Sequence, residues 1–280
     1  MTIEDLMIYG TRELEKKNIE DAKLKAKMLL AFLMETSKEY LILHKGEELN
    51  DHIIERYKEG VQKIKKGIPL QYITHSQEFM GLSFYVDENV LIPRFDTENL
   101  VMEIFEIVKK QENLKILDMC TGSGIIAISL AKKLKGSKIY ATDISPKALE
   151  IAKKNSEINH TSIELIQSDM FKDIPEKDFD IIVSNPPYIE TTTIQQLNQD
   201  VQQEPVIALD GGKDGLKFYR ILAKQACQYL RSNGLLAMEI GYNQRESVTK
   251  ILQSTKKYQN INCKKDLSGN DRIILCNYIC

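Results

Sequence analysis

The chain has 280 residues, with 38 Lys and Arg against 40 Asp and Glu, a formal net charge of −2 and 42% hydrophobic residues. That length favours two domains, and the near balance of charge excludes the global basic field that draws a protein onto nucleic acid. Cys120, Cys227, Cys263, Cys276 and Cys280 form no Cys-x-x-Cys pair, and His44, His52, His75 and His160 have no ligand spacing, so reduced thiols and no metal site are expected. The opening MTIEDLMIYGTRELEKK lacks the basic start, apolar stretch and cleavage site of a secretory leader, and no apolar run approaches membrane-spanning length. A soluble, cytoplasmic protein is expected.

Residues 1–68 read as a small helical domain. Thr2 and Asp5 have capping-box spacing, IEDAKLKAKMLLAFLMET repeats apolar residues at helical intervals, and Asn50 can cap DHIIERYKEGVQKIKKG. Met28, Leu29, Phe32 and Leu33 are expected in that domain's own core, and Lys63-Ile64-Lys65-Lys66 as a solvated helix end. Residues 69–96 hold short β-rich pieces broken by Gly81 and by Asp87-Glu88-Asn89, which suits a β-hairpin linker.

From Thr97 to residue 280 helices and strands alternate. A helix near 97–110 precedes strand KILDMC, helix IIAISLAKKL, strand KIYATDI, helix PKALEIAKKNSEI and strands IELIQS and DIIVSN. Helix LKFYRILAKQACQYLRS, strand LLAMEIG, helix RESVTKILQSTKK and a final pair, INCKKDL and RIILCNYI, complete the chain. The alternation predicts an α/β domain, a parallel sheet with helices on both faces.

Strand Lys115–Cys120 runs through Thr121-Gly122-Ser123-Gly124 directly into a helix. Gly122 suits the tight turn and Gly124 suits close ligand approach, with the free N–H groups of the first helical turn facing the crevice. Asp143 ends the next strand, at the separation from which an acidic residue reaches ribose hydroxyls, and Ser145 is the better cap for the helix starting at Pro146. Gly122 to Ala127 also fits the Gly-x-Gly-x-x-Ala form of a dinucleotide site, which keeps a dehydrogenase open. Against hydride transfer stand Asp169-Met170, suited to a base by hydrogen bond and apolar contact, and Asn185-Pro186-Pro187-Tyr188 after the fourth strand.

A planar NH₂, on an amide or an adenine, is a poor nucleophile because its lone pair is delocalised. The Asn185 side-chain oxygen and the Pro186 carbonyl can each accept one of its N–H groups and so aim its lone-pair face at an electrophilic carbon. Pro186 and Pro187 stiffen the turn and leave carbonyls as its polar groups, and Tyr188 offers a flat face to the planar group. This chemistry does not separate a glutamine amide from an adenine amino group.

The blocks PLQYIT…EFMGLSFYVDENVLIPR, LDMCTGSGIIAISLA, SDMF, SNPPYI, EPVIALDGGKDGLKFYR, EIGYNQ and DLSGNDR, in this order, resemble the PrmC/HemK family of peptide-chain release factor glutamine methyltransferases across nearly the whole chain. The resemblance implies a class I, Rossmann-like methyltransferase domain with a seven-stranded sheet ending in a reversed hairpin, joined to a helical N-terminal domain that docks substrate. It implies S-adenosylmethionine as cofactor, S-adenosylhomocysteine as product, and Cys120, Thr121, Gly122, Ser123, Gly124, Asp143, Met170 and Asn185 around the cofactor. Asn185, Pro186, Pro187 and Tyr188 would then hold the glutamine of the Gly-Gly-Gln loop of class-1 release factors, with Asn185, Pro186 and Tyr188 acting in catalysis. A monomer with no direct nucleic-acid contact is expected. An adenine N6-methyltransferase is the alternative enzyme, opposed by the lack of a target-recognition domain, and a binding module without turnover is opposed by the intact motifs. Cys120 stands where the family commonly has Gly, and Phe95 where Pro is usual; Phe95 is expected to pack over the cofactor.

Overall fold

The computed structural model describes residues 1–279; Cys280, expected as a reduced thiol, lies outside them, and the other four cysteines are free. The chain divides into two compact units, Met1–His75 with Asn198–Gln203, and Ser76–Leu197 with the chain from Glu204 onward.

The first unit holds α1 (Ile3–Glu15), α2 (Ala22–Leu33), α3 (Lys38–Leu43), α4 (Asp51–Lys65) and α5 (Leu70–Thr74). α1 begins at a complete capping box: Asp5 N donates to Thr2 Oγ1 at 3.2 Å and Thr2 N to Asp5 Oδ2 at 3.0 Å. Asn50 caps α4 by accepting from Ile53 N at 2.9 Å. Ile3, Leu6, Leu14, Leu29, Leu30 and Val61 are wholly buried together, each contributing about 1.5–3 kcal/mol over an exposed side chain.

Three expectations change here. Leu29 is buried and Leu33 half-buried, but Met28 and Phe32 are 37% and 41% exposed, because with Leu24 they fall four residues apart on the opposite face of α2. The end of α4 is not simply solvated: Ile64 is buried, and Lys65 Nζ pairs with Glu13 Oε2 at 2.6 Å. Residues 70–74, expected within a β-rich linker, form α5, which starts after Pro69, a residue with no N–H to leave unsatisfied.

The second unit opens with hairpin β1 (Gln77–Phe79) and β2 (Leu82–Phe84). Then come α6 (Asp96–Val108), β3 (Lys115–Met119), α7 (Ile125–Lys133), β4 (Lys138–Asp143), α8 (Pro146–Ile158), β5 (Glu164–Gln167) and β6 (Phe179–Ser184). α9 (Val206–Leu209), α10 (Lys217–Gln225), β7 (Leu230–Glu239), α11 (Arg245–Thr255), β8 (Tyr258–Lys265) and β9 (Asp271–Tyr278) follow. The seven strands are ordered β5-β4-β3-β6-β7-β9-β8, parallel except that β9 runs antiparallel to both β7 and β8. The helix expected to reach Ser232 stops at Gln225, and Leu230 instead pairs with Phe179 as the start of β7.

Alternation along the strands builds two cores. Ile116, Ile181 and Val183 pack with α6 and α7, while Leu117, Ile182 and Leu236 pack with α10 and α11. Strand order reverses between β3 and β6, so helices leave on opposite faces and a crevice opens at the carboxyl ends of those strands. Ser184 Oγ donates to Met119 O at 2.8 Å across that point. No helix among the described residues is long and apolar enough to cross a membrane.

The segment after β2 is clamped by a buried amide. Asn155 on α8 accepts from Tyr85 N at 2.7 Å and donates to Tyr85 O at 3.0 Å and Ser123 O at 2.9 Å. All of its bonds go to backbone, so no side-chain rearrangement can replace them. Asn155→Ala is expected to cost about 2–4 kcal/mol in urea unfolding, because buried groups lose their partners; a loss under about 0.5 kcal/mol, typical of a surface site, would contradict the clamp.

Candidate active site

The carboxyl ends of β3, β4, β5 and β6 open onto one cavity. Cys120, Thr121, Gly122 and Ser123 line it from the loop after β3, Asp143 and Ser145 from the end of β4, Asp169 and Met170 from beyond β5, and Asn185 and Pro187 from beyond β6. Arg94, Thr97, Ile207 and Lys217 close the remaining wall.

The two glycines do different work from that expected. Gly122 lines the cavity at φ +54°, and a Cβ there would meet nothing within 4 Å, so this is where a ligand can approach the backbone. Gly124 does not line the cavity: at φ +84° its Cβ would stand 3.0 Å from Ile128 and 3.2 Å from Ala152, so it permits α7 to pack on α8. Cys120 also takes a left-handed conformation, φ +62°, which costs a non-glycine residue about 1–2 kcal/mol. Its Sγ lies 3.8 Å from Met170 Sδ, two soft sulfur groups on one wall.

Two carboxylates shape the loop. Asp143 Oδ2 accepts from Gly122 N and Oδ1 from Ser145 N, both at 2.9 Å. Ser145 itself caps α8, its Oγ accepting from Ala148 N at 3.2 Å, so the remaining lone pairs of Asp143 are available to the cavity. Burial pushes the Asp143 carboxyl up, against the pull of the Ser145 and Gly122 N–H groups. Asp118, read only as part of a strand, is wholly buried behind the loop, accepting from Thr121 Oγ1 at 2.6 Å and Ala127 N at 3.1 Å. Burial pushes its carboxyl up to about 7.

On the other wall Asn185 is placed by residues more than fifty positions away. Its Nδ2 donates to Thr97 Oγ1 at 3.1 Å, Thr97 Oγ1 donates to Glu239 Oε2 at 2.6 Å, and Tyr188 OH reaches Glu239 Oε1 at 3.4 Å. Asn185 and Pro187 line the cavity; Pro186, which is buried, and Tyr188, which is half-buried, do not. The expected free face of Tyr188 is therefore absent from the lining. The ring is turned toward Glu239, burial pushes its hydroxyl well above the usual phenol range, and its carbonyl accepts from Gln244 Nε2 at 2.9 Å. Phe95 is 70% exposed and also outside the lining, so it does not pack over the cavity.

Glu204, 3% exposed, accepts from Ile92 N at 3.0 Å and pairs with Arg94, fixing the strap that bears Arg94 and leads to Thr97. Thr97, Asp118, Glu204, Glu239 and Gln244 were not identified from the sequence as site residues. Most lie in motif blocks, yet separations such as 142 residues between Thr97 and Glu239 carry no signal of contact. No group of three or more His, Cys, Asp or Glu able to hold a metal occurs among the described residues.

Gly215 makes a direct test of the Tyr188 anchor. At φ +68°, a Cβ there would sit 2.4 Å from Tyr188 O and 2.7 Å from Gln244 Nε2. Gly215→Ala is expected to lose about 2–4 kcal/mol, the left-handed strain plus a broken hydrogen bond, whereas Gly122→Ala should lose only the backbone share of about 1–2 kcal/mol. Equal losses in urea unfolding would contradict the crowding.

Residues 97–213 match the family model of the methyltransferase small domain, and residues 5–74 that of the PrmC N-terminal domain. The chain is 36% identical over 280 residues to a release factor glutamine methyltransferase of Clostridium acetobutylicum, with 98% of each chain covered. It is 39% identical over 277 residues to the protein of the same name from Moorella thermoacetica, again with 98% of each covered. Among solved structures, a methyltransferase from Pyrococcus furiosus aligns with a TM-score of 0.53 at 21% identity over 71% of this chain and 90% of that one, a likeness of fold.

Proposed function

The chain belongs to the family of release factor glutamine methyltransferases, and from that membership and the site we propose that it moves a methyl group from S-adenosylmethionine to the side-chain amide nitrogen of the glutamine in the Gly-Gly-Gln loop of class-1 peptide-chain release factors. The observation that carries this reading is the Asn185 side chain, whose Nδ2 is engaged by Thr97 while Oδ1 accepts nothing from the described residues at the cavity wall. An acceptor amide needs that polarity.

The first wall suits the cofactor. The open backbone at Gly122, the half-buried Asp143 carboxylate and the apolar side chain of Met170 fit a glycine-rich loop, a ribose diol and an adenine. When bound, S-adenosylmethionine supplies the electrophilic methyl carbon and takes the bonding pair back onto sulfur, leaving S-adenosylhomocysteine. Asn185 Oδ1 and, from the backbone of the same turn although the Pro186 ring lies outside the lining, the Pro186 carbonyl accept the two N–H groups of the glutamine amide, which removes its rotational freedom and turns its lone-pair face toward that carbon. The same acceptors steady the positive charge that grows on nitrogen before a proton leaves it. Tyr188 contributes by holding the turn through Glu239 and Gln244. The helical unit docks the protein substrate in this reading, supported by the exposed apolar face of Leu24, Met28 and Phe32 on α2.

Label from S-adenosylmethionine should appear on purified release factor and vanish when its loop Gln is changed to Ala; label on nucleic acid instead would sink the reading. Asn185→Ala is expected to lower turnover by about 100-fold, the effect of a misplaced reacting group, with cofactor affinity nearly unchanged by calorimetry. Asp143→Ala should reverse that pattern, weakening cofactor binding about tenfold or more through loss of a charged hydrogen-bonding group. An Asp143→Ala affinity equal to that of the parent would leave Asp143 a brace of the loop and nothing more.

A further inference from the structure

An Asn side chain is nearly symmetric in shape, so something must choose which end meets the acceptor. Thr97 is wholly buried on the first turn of α6, and its hydroxyl has one proton to give. It sits 2.6 Å from Glu239 Oε2 and 3.1 Å from Asn185 Nδ2. The shorter contact is to a carboxylate, which can only accept when ionised, so the Thr97 proton lies on that side. Thr97 then has only lone pairs for Asn185, and the Asn185 amide must donate to it. Turning the amide over would set Oδ1 against the Thr97 oxygen with no proton between them.

Resting on the reading of Asn185 as the clamp of the acceptor amide, we infer that Glu239 is a positioning residue which, through Thr97, selects the end of the Asn185 amide presented to substrate, and that protonation of Glu239 reverses that choice. With a proton on Glu239, its O–H donates to Thr97, the Thr97 proton is released toward Asn185, and Asn185 turns to accept with Oδ1. Its NH₂ then faces the NH₂ of the acceptor, donor against donor. No proton is gained or lost by Thr97 or Asn185; one proton taken up from solvent by Glu239 reorders the whole row.

The surroundings of Glu239 put this event within reach. It is 1% exposed, and burial pushes its carboxyl up to about 7, against the pull of the Thr97 hydroxyl and the Arg272 guanidinium, while Asp96 adds to the rise and Tyr188 opposes it. Those groups come from α6, from the turn after β6 and from β9; from α10, Tyr219 OH donates to the backbone carbonyl of Glu239 at 2.9 Å and leaves the carboxylate alone. Arg272 is itself shared with Asp96 at 3.2 Å and Asp266 at 3.1 Å. The acceptor-presenting state is thus the one above neutrality.

The test is the pH dependence of methyl transfer to release factor, with cofactor affinity measured in parallel by calorimetry. The parent enzyme should lose kcat on the acid side with a midpoint near pH 7, where burial sets the Glu239 carboxyl, while cofactor affinity stays flat. In Glu239→Gln the Tyr188 hydroxyl takes the amide oxygen, the amide N–H donates to Thr97, and the row runs in reverse at every pH. Its kcat should fall about tenfold or more at pH 8, toward the acid value of the parent, and the acid limb should disappear. Thr97→Val should behave alike and Thr97→Ser should restore both rate and limb. An acid limb that persists in Glu239→Gln, or a Ser variant no better than Val, would overturn the inference. Should Glu239→Gln fail to bind cofactor, the Val and Ser pair decides alone. Failure of Asn185→Ala to lower turnover would instead remove the clamp reading itself, so the two are separable.

Discussion

A carboxylate with almost no exposure to water, Glu239, stands where β7 ends, and the Asn185 wall of the cavity hangs from it. Burying a charge of that kind costs several kcal/mol unless donors surround it. Here the Thr97 hydroxyl and the Tyr188 hydroxyl bond to it, and the positive charge of Arg272 acts on it. Meeting that cost draws α6, the turn after β6, β7 and β9 to one point. The Asn185 turn is rigid because it is one of the elements that must satisfy Glu239, and its orientation is a by-product of the same requirement.

The wall formed by the glycine loop is organised by the same logic with the polarity of the donors changed. Asp118 is a buried and Asp143 a half-buried carboxylate, and their partners are largely backbone N–H groups and one hydroxyl of the glycine loop. A loop held by carboxylates beneath and beside it keeps its outer face free, which is what the open space at Gly122 reflects. Asn155 adds a third tie, joining Ser123 to the strap after β2. The strap in turn carries Arg94, fixed by Glu204, and ends at Thr97. The backbone of the strap therefore joins the separate contacts of Asn155, Glu204 and Thr97.

Much of this was legible in the sequence where the signal is local. The capping box of Thr2 and Asp5, the Asn50 cap, each strand and helix after Thr97 and the placement of Gly122, Asp143 and Asn185 just at or beyond a strand end are each signalled by residues within a few positions of one another. The local signal falls short where a neighbour in space matters. The spacing in α2 marks one apolar stripe although the core takes only one face of it, and the apolar pattern after Lys217 reads as helix through residues that Phe179 recruits into β7. Gly124 sits in a pattern that suits ligand approach, although Ala152 of another helix occupies the space beside it. The motif around Tyr188 suggests a free ring face, because nothing local announces a buried glutamate 51 residues later.

What the sequence determined by itself was the chemistry on offer: a glycine loop between strand and helix, an acid at the next strand end, and an Asn-Pro-Pro-Tyr turn, all legible because backbone periodicity and turn stereochemistry are properties of short segments. Only the tertiary structure decided how that chemistry is aimed. Which end of the Asn185 amide faces the cavity depends on where one proton of Thr97 lies, and that depends on Glu239, 142 residues further along the chain from Thr97. Hydrogen-bond polarity passes through contacts in space, so no spacing along the chain can encode it.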